Sequence, residues 1–189
     1  MGSPKSMVWL MLPLILGFFV TSIFVQVQTC VPSEVVTVNP AGTTGAAFVA
    51  YHAGLSSFQE DVTMAFVRGL VSSDWRCDVT TASREGPTDL SAYDLLVLGA
   101  PTYALKPARP ITQYLERVDD LNGLPTVLIV TAAGTTERAA SILANAVTDV
   151  KGTTIDVLEL WQAAPNEEIH GISDATEIAE RAGAAIELP

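Results

Sequence analysis

Three residue types are scarce in these 189 residues: two cysteines (Cys30, Cys77), two histidines (His52, His170) and three lysines (Lys5, Lys106, Lys151). The cysteines lie far apart, with no CxxC spacing and no His/Cys cluster, so neither a disulfide scaffold nor a Cys/His metal centre is expected. Cys77 falls in a strand pattern and reads as a small core residue. With few cations against 21 acidic residues, the formal net charge is −11. Such a surface repels phosphate backbones, and nucleic-acid binding is not expected. No GxSxG, HExxH or Walker sequence occurs, and no catalytic set stands out around either histidine. His170 follows a polar stretch and reads as solvated.

Residues 7–27 (MVWLMLPLILGFFVTSIFVQV) carry no charge. About 20 apolar residues suffice to cross a bilayer core of about 30 Å. In hydrocarbon such a segment satisfies its backbone as a helix. Residues 1–27 are therefore expected to be a transmembrane anchor, making the protein a single-pass membrane protein. The rival is a cleaved signal peptide or a lipidated terminus. Signal peptides have a shorter apolar core of about 7–15 residues, and VQTC at 27–30 matches neither a small-residue cleavage site nor a lipoprotein box. Lys5 and the amino terminus bias the globular part toward the outside, although the side is left open. Residues 28–45, with Pro32, Pro40, Gly42 and Gly45, have no helical period and read as a linker.

From residue 46 on, apolar runs alternate with helical patterns. Residues 46–51 (AAFVAY), 76–81, 95–99 (LLVLG), 126–131 (TVLIVT) and 154–160 read as five strands. Phe58, Val62, Ala65, Phe66, Gly69 and Leu70 recur at helical spacing, as do Ile111, Leu115 and Val118, then Ile142, Leu143, Ala146 and Val147. A last helix is expected over about 174–185. Alternating strands and helices imply parallel pairing through right-handed crossovers. The first, third and fourth strands are apolar throughout and belong in the sheet centre. The second and fifth carry charges and belong at edges. The strand order 2-1-3-4-5 meets both conditions without adjustment, and a doubly wound five-stranded α/β domain in that order is expected over 46–189.

In such a sheet ligands bind beyond the carboxyl ends of the strands, where crossovers diverge. Three loops meet there. His52, Ala53, Gly54, Leu55, Ser56 and Ser57 lead into a helix, whose amino terminus attracts phosphate. Ser57 with Glu60, or Ser56 with Gln59, equally fits a capping box that needs no ligand. The second loop carries Pro101, Thr102, Tyr103 and Ala104. Tyr103 offers a flat face for stacking, or packs on its neighbours in a proline-stiffened loop. The third offers Ala132, Ala133 and Gly134, small enough for a planar ligand to approach the backbone, or merely a turn capped by Thr135 or Thr136.

The first strand and its loop, followed by Gly99-Ala-Pro-Thr-Tyr103, Pro110-Ile111 and Tyr114-Leu-Glu-Arg117, resemble the flavodoxin-like proteins, which include flavodoxins and flavin-dependent NAD(P)H:quinone reductases. The resemblance implies flavin mononucleotide (FMN), with its phosphate at residues 52–57 and its ring between 101–104 and 132–136. It implies electron transfer or oxidoreduction, with a quinone, NAD(P)H or a redox protein as partner. The family's phosphate loop follows S-x-T-G-x-T. Here His52 stands at the first hydroxyl place, and of the three hydroxyls only the last is kept, as Ser57. The other reading is a non-enzymatic binding domain that kept the fold and lost the flavin.

Overall fold

The computed structural model describes residues 17, 20, 32–83, 86–162, 166 and 173–189. Its strands are β1 (Val36–Val38), β2 (Gly45–Tyr51), β3 (Trp75–Thr81), β4 (Leu95–Tyr103), β5 (Lys106–Pro107), β6 (Pro125–Ala132) and β7 (Thr153–Trp161). Its helices are α1 (Phe58–Ser72), α2 (Arg109–Leu115), α3 (Glu137–Asp149) and α4 (Ala175–Ala184).

The sheet order is β1-β3-β2-β4-β6-β7, with β5 paired to β4. From β3 to β7 the neighbours are parallel. These five are the expected strands in the expected order. The apolar β2, β4 and β6 stand inside because both their faces are covered. On one face, Val49, Val97 and Ile129 pack against Val62, Phe66 and Leu70 of α1 and Ile178 of α4. On the other, Phe48, Leu98 and Leu128 pack against Ile111 of α2 and Leu143 of α3. Helices on both faces make the doubly wound α/β architecture.

Two strands were not expected, so the described sheet has seven strands rather than five. Strand β1 lies within the stretch read as a linker. It pairs antiparallel with β3 and covers what would otherwise be the sheet edge. Side chains hold it there: the Thr37 hydroxyl donates to Asp78 at 2.6 Å, and Ser33 bonds Thr80 and Thr81. Asp78 also accepts from Arg76 and from the Tyr93 hydroxyl. This pairing tolerates a charged residue that is almost wholly buried. Strand β5 turns the expected second loop into a short hairpin on β4.

The expected single-pass membrane placement is corrected. Among the described residues no helix is long and apolar enough to cross a membrane. Apart from Gly17 and Val20, the 7–27 segment on which that expectation rested lies outside the described residues, as do Cys30 and His170.

Candidate functional site

The crevice is shaped by close approach of α1 to β4. A Cβ on Gly99 would stand 2.7 Å from the Thr63 hydroxyl, 2.7 Å from Tyr51 Cβ and 2.9 Å from Gln59 Nε2. Only glycine fits there without displacing the helix. Gln59, fully buried in the first turn of α1, stitches the two layers together. Its amide donates to Thr63 Oγ1 at 3.0 Å and to the Ile129 carbonyl, and its oxygen accepts from Thr131 Oγ1 at 2.7 Å. The amino-terminal end of α1 is thereby fixed over the carboxyl ends of β4 and β6. The linear pattern offered Gln59 only as a capping-box partner of Ser56 and did not mark this role, because its partners lie up to 72 residues away.

The first loop lies open to solvent at its far end. Leu55, Ser56 and Ser57 are exposed. Ser57 occupies the N-cap position of α1 but has helical backbone angles and makes no side-chain cap bond. The capping-box reading therefore fails. Glu60, its expected partner, instead accepts from the Tyr51 hydroxyl at 3.3 Å. Asp61 N–H bonds the Ser57 carbonyl. No side chain caps the start of α1, and the first N–H groups of a helix have no partner within the helix itself. Glu60 and Asp61 in the first turn oppose a second negative charge there.

His52 opens the same loop. Its backbone N–H bonds the Gly99 carbonyl at 3.0 Å. The side chain is 4% exposed, and neither ring nitrogen has a partner. Burial pushes its pKa below the ordinary histidine value, so the ring is neutral at neutral pH. Ala53 is half-buried. Gly54 has φ +82°, and a Cβ on it would stand 2.8 Å from the Tyr103 hydroxyl and 3.2 Å from Pro101 Cγ.

The second loop meets the first through Tyr103. Its hydroxyl accepts from Leu55 N–H at 2.9 Å. Burial pushes the phenol's pKa up, partly offset by that donor. The tyrosine is thus tied to the first loop by its oxygen, an arrangement that a reading of its ring alone does not anticipate. Pro101 is buried, and its carbonyl accepts from Ala108 N–H at 2.9 Å. Thr102 Oγ1 is buried without a partner. Ala104 and Leu105 form the hairpin tip at φ 49° and 64°, both in the left-handed region.

The third loop is the plainest. Ala132 is half-buried and ends β6; Ala133, Gly134 and Thr135 are exposed. Thr136 takes the N-cap position of α3 but, like Ser57, makes no cap bond. Its hydroxyl accepts from Trp161 Nε1 at 3.1 Å, which moors the loop to the end of β7.

The strand pairing carries all three loops to one end of the sheet, and the Tyr103 hydroxyl joins the first two. A cleft of about 620 Å³ at the opposite end, between residues 88–94 and 119–125, contains none of the expected site residues. Among the described residues no group of His, Cys, Asp and Glu could hold a metal ion.

No family model and no curated protein matches the chain. Solved structures do. The chain is similar to an archaeal flavodoxin (15% identity, TM-score 0.59), covering 74% of this chain and 94% of that one. It is similar to the NAD(P)H:quinone oxidoreductase of Methanothermobacter marburgensis (16%, TM-score 0.55), covering 78% and 98%. A third is the two-electron reduced flavodoxin of Megasphaera elsdenii (13%, TM-score 0.59), covering 74% and 99%. The fold is flavodoxin-like.

Proposed function

We infer that the chain binds FMN in this crevice and acts in electron transfer or as an oxidoreductase, through a flavodoxin-like domain over 46–189. The observation that carries this reading is the start of α1, which no side chain caps and which stands beside the exposed Ser56 and Ser57. A phosphate monoester suits such a helix start. Ser56, Ser57 and the loop amides would hold the phosphate. Residues 101–104 and 132–134 would flank the ring, the small side chains of 132–134 admitting a flat ligand. Bound flavin supplies the electron or hydride chemistry. The protein's part is to bind and orient it and to present neutral His52, buried at the first place of the loop. The similarity to a protein named for NAD(P)H and quinone supports partners of that kind.

The full chain, purified, should show flavin absorbance or quench the fluorescence of added FMN with a one-to-one endpoint. The second reading is a domain that kept the fold without the flavin, and the Tyr103–Leu55 bond favours it because that bond already occupies one loop donor. A colourless chain that leaves FMN fluorescence unchanged supports that reading and removes the redox assignment.

A further inference from the structure

In a chain of net charge −11, a cation left without a carboxylate is informative. Arg68, Arg76, Lys151 and Arg181 each meet one. Arg117 donates to the Ser83 carbonyl at 2.7 Å and lies over the Tyr114 ring. Lys106, Arg109 and Arg138 are exposed, and among the described residues their side chains make no ion pair or hydrogen bond. All three stand at one end of the molecule. Lys106 lies in β5, at the carboxyl end of β4, and Arg109 opens α2 just after it. Arg138 stands in the first turn of α3, which leaves the carboxyl end of β6. Strands β4 and β6 are neighbours, and β5 and α2 both pack against α3, so the three cations border one face. Two of them oppose local physics, because a cation in the first turn of a helix opposes its dipole. The first turn of α2 holds no acidic residue, and that of α3 holds only Glu137. Positions that break a local rule without local compensation tend to be functional. Next to the cations, Leu55 and Leu105 are 48% and 45% exposed, on the two loops that the Tyr103 hydroxyl joins. Apolar side chains beside long cations have the composition of a docking surface, an apolar centre with a charged rim. The cations stand on three separate elements and open to solvent, which suits the carboxylates of a broad surface better than one enclosed ion.

We propose that this end of the molecule, with Leu55 and Leu105 at its centre and Lys106, Arg109 and Arg138 along one side, is the docking surface for an acidic protein. It borders the crevice, so the identification of that protein as a redox partner rests on the flavin reading. The surface itself rests on charge and placement and does not require flavin. The chain's own acidity does not forbid such a partner. At about 0.1 M salt the screening length is about 10 Å, so distant carboxylates are muted while ion pairs in contact persist.

The test titrates the full chain with oligoglutamate, the acidic probe, and with oligolysine, the control, at about 0.1 M salt. Nuclear magnetic resonance follows the backbone amides. Oligoglutamate should shift Leu55 and amides within 104–109 and 137–139 at one common half-saturation, and oligolysine should leave them unmoved. A variant carrying Lys106→Gln, Arg109→Gln and Arg138→Gln should half-saturate at about tenfold higher oligoglutamate, the product of three exposed ion pairs of ordinary strength. Arg68→Gln, which removes a cation already paired with Glu180, should bind as the parent does. The triple variant should melt no lower than the parent, because it relieves two helix starts. If it nonetheless fails to fold, Lys106→Gln alone takes its place, with a loss of about twofold. Shifts confined to another surface, or a variant that binds like the parent, overturn the proposal. So does NADPH that moves these amides where oligoglutamate does not, since the occupant is then a small phosphate anion. Oligoglutamate binding without FMN quenching upholds the docking surface and defeats the flavin reading; FMN binding without an oligoglutamate response does the reverse.

Discussion

Asp174 and Ser57 each stand at a helix start as residues of the capping type, and they should respond differently to alanine. Asp174 caps α4: its carboxylate accepts from Thr176 N–H and Glu177 N–H, each at 3.0 Å, and from the Thr176 hydroxyl at 2.6 Å. Ser57 stands at the same position of α1 with no such bond. Replacing a working cap by alanine costs about 1 kcal/mol, within a range of about 0.5–2. Asp174→Ala should therefore lower the melting temperature by about 2–4 °C in a chain of this size. Ser57→Ala removes an exposed hydroxyl that holds nothing, and should change stability by less than about 0.5 kcal/mol. Circular dichroism melts at neutral pH read both. The two variants also separate in acid. The hydrogen bonds from the Thr176 hydroxyl and Glu177 N–H hold the Asp174 carboxyl below its ordinary value. Its contribution is therefore complete above the unfolded aspartate value, about 3.9, and is lost as pH falls through the lower folded value. The gap between parent and Asp174→Ala should close in that window, while Ser57→Ala tracks the parent throughout. A loss of about 1 kcal/mol or more in Ser57→Ala would show that the serine serves its own helix, and would withdraw its hydroxyl from the proposed site.

Gly54→Ala should destabilise the chain by about 1–3 kcal/mol in urea unfolding, since alanine at φ +82° is strained and its Cβ would meet the Tyr103 hydroxyl at 2.8 Å; an unchanged midpoint would refute this. His52 is kept neutral by burial, so between its lowered folded value and about 6.5 the unfolded chain binds more protons and stability rises with pH. His52→Phe should flatten that part of the urea-midpoint profile, and a slope identical to the parent's would contradict it. Burial and neighbouring Asp78 push the Cys77 thiol up to about 12, so thiol reagents should modify it only at the rate of unfolding, as mass spectrometry across a urea series would show.

The sheet was legible because burial on two faces leaves a direct mark on composition. Strands β2, β4 and β6 contain no charged residue, and the charges of β3 and β7 sort those strands toward the sides. Strand β1 left no such mark: three residues between Pro32 and Pro40 are too few for a period, and what secures them is Asp78, about 40 residues away. The β4–β5 hairpin was hidden for another reason. Its turn uses Ala104 and Leu105 where Asn-Gly or Asp-Gly would have signalled it.

At the site, the three loops were legible from topology alone, but not how their side chains are employed. Ser57 and Glu60 have the spacing of a capping box, yet Tyr51 supplies Glu60 with another partner. Tyr103 is conspicuous as a ring, and the structure engages its oxygen. Gln59 looks like a polar interruption of an apolar helix face until Thr131 and Ile129 are brought to it. In each case the deciding partner comes from another element, and spacing along the chain carries no record of it.

The most direct test of one flavin seat built from three loops is a backbone-amide shift map of the full chain with and without FMN. The account predicts saturable shifts in 52–57, 101–104 and 132–134 together, at one common half-saturation. Shifts confined to a different surface, or none at FMN concentrations that saturate ordinary flavodoxin-like sites, would contradict it.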